Sequence, residues 1–231
     1  MHQKIFLAFL FFTISFFAQN IKSIQLRPLQ ENNYSSIVPL GTILELSFDD
    51  LDADSKDYQY KIEHMTHDWQ KSRLLSSQFI DGFDQNSIIN VTNSFNTFQN
   101  YTHYEVKIPN VNSIITKSGN YLVSILNDDD EVVFSRKLVL YENAATIGVA
   151  VSRSRNTKTR DTQQTVEFTV NHPNLRINNP SQEVHIALLK NENWNEKITN
   201  LQPTFFQQNQ LKYTYIKKTN FWGGNEYLNF D

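Results

Sequence analysis

Three clusters of side chains in this sequence have the types and spacing to hold an ion or move a proton. Asp50, Asp52 and Asp54 repeat the first three ligand positions of a calcium loop. The remainder of such a loop is missing. Ser55 stands where a glycine must turn the chain, and Lys56 follows it. Lys61 takes the place of the bidentate glutamate, where a cation would be repelled. An acidic, solvated turn after a strand fits these residues better, with a weaker calcium contact as the alternative. Asp128, Asp129, Asp130 and Glu131 form a second cluster, expected at a hairpin tip where hydrated carboxylates discourage edge pairing. His64 and His67 make an H-x-x-H. Residues three apart on a strand face opposite ways, and the glutamate base of a zinc protease is absent, so structural or surface histidines are expected. No G-x-S-x-G occurs, and 6 glycines offer no Gly-rich phosphate cradle. Without cysteine there is no thiol nucleophile, thiolate metal site or disulfide. No catalytic, cofactor-binding or metal site is expected.

The elements that must carry these residues read as strands. Leu44, Leu46 and Phe48 alternate with Glu45 and Ser47, while Tyr58, Tyr60 and Ile62 alternate with Gln59 and Lys61. Residues 104–108 repeat the pattern until Pro109. Period-two alternation buries one face of a strand and wets the other, as in antiparallel sheets packed face to face. Residues 121–141 read as a hairpin turning at 127–130. Residues 147–152, 165–170, 184–189 and 211–216 read as later strands, and 84–100, which is polar and Asn-rich, as a long ordered loop or a short irregular piece. No segment has a helical period. The expected fold is all-β: tandem immunoglobulin-like or fibronectin-like antiparallel β-sandwiches, the second incomplete at its C-terminal end.

The 231 residues carry 21 Lys+Arg against 24 Asp+Glu, leaving no basic excess to attract nucleic acid. Met1 to Lys4 gives a positive start, residues 5–17 are apolar or weakly polar, and Ala18-Gln19 ends the run. This is the layout of a secretory signal, shorter than a membrane-spanning helix needs, with a short anchor that stays attached as the alternative. Export without disulfides suits a Gram-negative periplasm. The expected organisation is a signal peptide at 1–18, a first sandwich at 19–143, and a second β-rich domain at 144–231.

Aromatic residues outside the alternating strands are candidates for partner contact. Phe79, Ile80, Asp81 and Phe83 surround a Gly82 turn, and Phe205-Phe206 recur later. Such residues either plug the ends of a sandwich or anchor an interface.

Several segments resemble the plug protein family of the type IX secretion system. They include Ile24-Gln25-Leu26-Arg27-Pro28-Leu29, Leu46-Ser47-Phe48-Asp49-Asp50-Leu51, Tyr60-Lys61-Ile62-Glu63-His64 and Asp68-Trp69. Phe79-Ile80-Asp81-Gly82-Phe83, Tyr101-Thr102-His103-Tyr104, Ser118-Gly119-Asn120-Tyr121 and Asn171-His172-Pro173 continue the likeness. The resemblance implies a non-enzymatic, β-rich periplasmic protein. Its partner would be a very large outer-membrane β-barrel translocon, whose periplasmic mouth it would seal, and its relatives would run on past residue 231. It supplies no barrel-contact residues. A rival reading from the residues alone is a glycan-binding or glycan-cleaving sandwich with Trp69, Trp194 and Trp222 as stacking platforms. It requires two tryptophans side by side at a groove. A surface adhesin using calcium at Asp50, Asp52 and Asp54 is a third.

Overall fold

The computed structural model describes residues 20–29 and 34–224. The expected signal peptide lies outside them. Among the described residues no helix is long and apolar enough to cross a membrane.

Two sheets enclose the first core. One has the order β1 (Ile21–Pro28), β3 (Leu44–Asp50), β8 (Thr102–Ile108), β7 (Asn90–Asn93). The other has the order β2 (Ile37–Pro39), β11 (Val132–Tyr141), β10 (Gly119–Leu126), β4 (Gln59–Met65), β6 (Gln85–Ser87). All neighbours run antiparallel except β2, which is parallel to β11. The alternating residues meet between the sheets: Leu44, Leu46 and Phe48 from one, with Tyr60, Ile62, Tyr121, Val123 and Leu138 from the other, are almost fully buried. The Phe48 ring stacks on Tyr104 at 5.0 Å and meets Tyr58 and Phe134 edge-on. These are the geometries that aromatic quadrupoles favour. Tyr121 donates its hydroxyl to the Lys117 carbonyl four residues upstream at 2.7 Å, a contact similar to the tyrosine corner of immunoglobulin-like sandwiches.

A short ribbon of β5 (Ile80–Gly82) and β9 (Ser113–Ile115) closes one end of this sandwich. A third sheet carries the remaining strands in the order β12 (Thr146–Arg153), β13 (Gln163–Asn171), β15 (Gln210–Tyr213), β14 (Phe205–Gln207), with β16 (Asn220–Trp222) also on β13. Its core is smaller: Phe168, Val170, Leu201, Leu211 and Tyr213, with Ile177, Val184, Ile186, Leu188 and Ile198 half-buried against it.

Two local expectations change. The stretch 84–100 is not simply a loop, because it contains β6 and β7, which pair with β4 and β8. Both lie at sheet edges, and their polar residues conceal the alternation that marks a half-buried strand. Residues 184–189 form no strand. They follow a single helical turn, α1 (Pro180–Glu183), and among the described residues their backbone pairs with another segment through an isolated bridge between Leu188 and Ile198 and no ladder. Val184, Ile186 and Leu188 do alternate, but alternation reports one-sided burial, and a strand needs a hydrogen-bonded neighbour as well.

Candidate interaction surface

The run Phe79-Ile80-Asp81-Gly82-Phe83 is divided by the β5–β9 ribbon. Phe79 and Ile80 turn inward and are buried in the first core, while Asp81 and Phe83 are exposed. Gly82 makes the close approach of the two loops feasible. Its φ is +104°, and a Cβ there would lie 2.2 Å from the carbonyl oxygen of Asn112, a separation no side chain tolerates. The Phe83 amide donates to that same carbonyl at 2.8 Å.

Under Phe83 lies a buried polar network. Ser113, fully buried, donates its hydroxyl to the Phe83 carbonyl at 2.6 Å and accepts from Asn86 Nδ2 at 2.8 Å. The Tyr60 hydroxyl lies 3.2 Å from Ser113 Oγ and accepts from Asn110 Nδ2 at 2.8 Å. With Ser113 donating to Phe83, Tyr60 donates to Ser113, so every member is satisfied and the pole is held rigid. Above the network an open cleft of about 410 Å³ is lined by Tyr60, Asn86, Ile89, Asn110 and Val111 among others. Ile89 and Val111 are each more than nine-tenths exposed, and Ile114 and Phe83 also reach solvent. Apolar rim and stiff polar floor together suit protein contact, where desolvating a few anchors contributes most of the affinity.

The other nominated residues lie elsewhere. Phe205 and Phe206, expected in a connection, belong to β14 and are both exposed. Phe206 pairs with Leu211 and so shares the core-facing side of the third sheet, whereas Phe205 pairs with Lys212 and faces outward. Ile89, Val111 and Ile114 were not singled out from sequence, because only the fold sets Ile114 across the ribbon from Asp81 and brings Ile89 and Val111 to one cleft.

The acidic and histidine clusters acquire structural roles. The oxygens of Asp50, Asp52 and Asp54 come close enough together to hold a cation, and the ammonium of Lys56 sits among them. It lies 3.0 Å from Asp50 and 3.4 Å from Asp54 and is hydrogen-bonded to Asp52. Asp50 is fully buried and also accepts from Tyr58 at 2.8 Å. A hydrogen bond from Asn20, then one from Lys56, holds the Asp52 carboxyl below its ordinary range. Burial opposes the charge on Lys56, but its hydrogen bonds to Asp52 and Asp50 prevail and raise its pKa. His64 and His67 do not converge. His64 packs against Phe79 and Tyr121, while the His67 ring stacks on His185 at 3.6 Å.

That stack belongs to a junction between the first sandwich and the third sheet's covering segment. Trp69 meets Trp194 edge-on at 4.9 Å, and Lys137 Nζ lies 4.5 Å and 5.1 Å from the two ring centroids. A cleft of about 450 Å³ runs beside them, lined by His67, Asp68, His185, Trp194 and Lys197 among others. Two tryptophans therefore do meet beside a groove. Each, however, presents a ring face to the protein's own ammonium rather than to a sugar, and both are half-buried. Asp52 and Asp68, the carboxyls with a clear departure, are both shifted downward, opposite to the direction a general acid needs.

No curated protein matches the chain. A hypothetical protein from Parabacteroides merdae ATCC 43184, known from a crystal structure at 2.30 Å resolution, superposes with a TM-score of 0.85 at 29% sequence identity. The match covers 91% of this chain and 54% of that one, so the present chain spans about half the length of that protein. The sequence profile of the type 9 secretion system plug protein first domain matches residues 21–142, more than half of the chain. That span contains both sheets of the first sandwich, and the chain belongs to the type 9 secretion system plug protein family.

Proposed function

We propose that this protein is a non-enzymatic periplasmic plug, which seats against the periplasmic end of the type IX outer-membrane β-barrel translocon and closes it between cargoes. The observation that carries this reading is the family match over residues 21–142. The chemistry of the surface supports it. A stopper needs stiffness, breadth and reversibility, and no reactive group. The tyrosine-rich core and the satisfied network beneath Phe83 supply the stiffness. A few apolar anchors among Asn, Ser and Gln favour a contact that can dissociate, and an interface of about 1,600 Å² would suffice. In this reading Phe83, with Ile89, Val111 and Ile114, forms the principal contact, and Phe205 and Phe206 mark a secondary one. Phe79 and Ile80 hold the ribbon from below, with Asp81 on its exposed face.

The test is site-specific photocrosslinking in cells. A photoreactive residue at Phe83 or Val111 is expected to capture an outer-membrane barrel of the secretion system, identified by mass. One at Phe98, beyond the opposite end of β8 and fully exposed, serves as comparison. Recovery of the barrel from Phe98 alone would move the contact to the other pole, and recovery from none of the positions would remove the plug reading.

A further inference from the structure

Strand β12 is an edge strand of the third sheet, paired on one side to β13 along its whole length, from Thr146 opposite Asn171 to Arg153 opposite Gln164. All eight of its residues are exposed. Directly opposed residues on antiparallel strands share a face. Ile147 opposes Val170, Val149 opposes Phe168, and Val151 opposes Val166. Phe168 and Val170 are buried core residues, yet Ile147, Val149 and Val151 on the same face are 63%, 59% and 58% exposed. The segment that covers the middle of this face therefore stops short of β12.

The other sheet edges in the described residues are protected. β1 carries Lys22 and Arg27 and a register shift between Lys22 and Gln25. β2 is three residues long and ends in Pro39. β6, β7 and β14 span three or four residues each. β12 has none of these devices: it is about 26 Å long, in unbroken register, without proline or lysine, and with a single charge at its end. Half of its backbone N–H and C=O groups point away from β13, and no other segment in the described residues bonds to them. Long, flat, apolar edges without a partner are sites of strand addition.

We infer that β12 is an acceptor strand completed by an extended segment of the same protein from outside these 231 residues. That segment carries apolar side chains at alternate positions and covers Ile147, Val149 and Val151. The occupant is assigned on length: 91% of this chain superposes on the Parabacteroides merdae protein, and about half of that protein has no counterpart here. A β-strand from that remainder would satisfy the free edge and close the smaller core in one step. The inference is independent of what the plug reading says about the barrel.

Because the chain has no cysteine, V149C and I89C each introduce a single thiol into it. In residues 20–231 both thiols are expected to react with a small alkylating reagent at similar rates. In the complete gene product, with other cysteines replaced, V149C is expected to react at least about tenfold more slowly while I89C is unchanged. Hydrogen exchange of the β12 amides in the two wild-type proteins should show the same contrast without any substitution. Equal reactivity and exchange in the two lengths would overturn the inference, as would a gene product that ends at residue 231. Protection in the short chain that grows with protein concentration would also overturn it, and would assign the edge to a second copy.

Discussion

At the scale of single residues, Gly82 and Lys56 are the positions where one atom decides the local structure. At Gly82 both the positive φ and the Asn112 carbonyl forbid a Cβ, whereas Gly41, with φ +92°, has open space around it. Gly82→Ala is expected to cost about 2–4 kcal/mol and Gly41→Ala about 1 kcal/mol, read from urea denaturation midpoints at constant slope. Lys56 answers the calcium question that Asp50, Asp52 and Asp54 raise. With an ammonium already among the carboxylates, millimolar calcium is expected to leave the melting temperature unchanged. Lys56→Met should lower stability by leaving the buried Asp50 charge with only the Tyr58 hydroxyl and the Asp52 amide as neutral partners, and should make the midpoint rise with added calcium.

His64 gives the chain a pH dependence with a definite sign. Burial, then the nearby Lys117, pushes its pKa down, and its Nδ1 has no hydrogen-bond partner. Between that folded value and the unfolded value of about 6.5, the unfolded state binds more protons. Stability therefore rises with pH in this window and falls as pH drops from 7 through 6.5 toward 5. Melting curves between pH 5 and 7 should show this slope, and His64→Gln should flatten it. Gly119 belongs to the same site, since a Cβ there would lie 2.6 Å from His64 Nε2.

At the scale of elements, the ribbon of β5 and β9 turns an interior run into a surface. One strand step separates the buried Ile80 from the exposed Asp81, and the next residues present Phe83. The junction around Lys137 works differently, because its groups come from β11, the turn after β4 and the segment after α1. Burial, then Lys197, pushes the Lys137 pKa down. Replacing Lys137 with Ala removes the cation shared by Trp69 and Trp194. The expected result is altered tryptophan fluorescence and faster proteolysis between residues 142 and 146, with the midpoint of the first sandwich little changed. An unchanged digestion pattern would mean that the Lys–Trp contact does not hold the two parts together.

At the scale of the whole molecule, the two cores differ in completeness. The first is enclosed by two sheets, with Leu44, Leu46, Phe48, Ile62, Tyr104, Tyr121 and Val123 at or near zero exposure. The second is one sheet with a partial cover. In cells, Phe83→Ala together with Val111→Ser is expected to reduce recovery of the barrel about tenfold or more, as loss of central anchors does in other interfaces, while leaving the melting temperature within a few degrees of wild type. Loss of recovery together with loss of folding would instead place Phe83 in the scaffold.

The sequence by itself determined the β character, the inward faces of β3, β4 and β8, the β10–β11 hairpin and the family. All of these rest on local alternation, turn residues or motif likeness, which need no knowledge of distant neighbours. It also carried the reasons against an EF-hand loop, since Ser55 and Lys61 are read without a fold. Only the tertiary structure decided that Phe79 and Ile80 are core while Phe83 is surface, because the ribbon partner β9 lies about 30 residues away in sequence. It alone brought Ile89 and Val111 to one cleft, set Ile114 across the ribbon from Asp81 and brought Trp69 to Trp194. It also separated the exposed apolar face of β12 from the buried one of β13, two strands whose patterns look alike in sequence. The physical reason is common to these cases: alternation states which side of a strand is apolar, and packing alone states whether anything covers it.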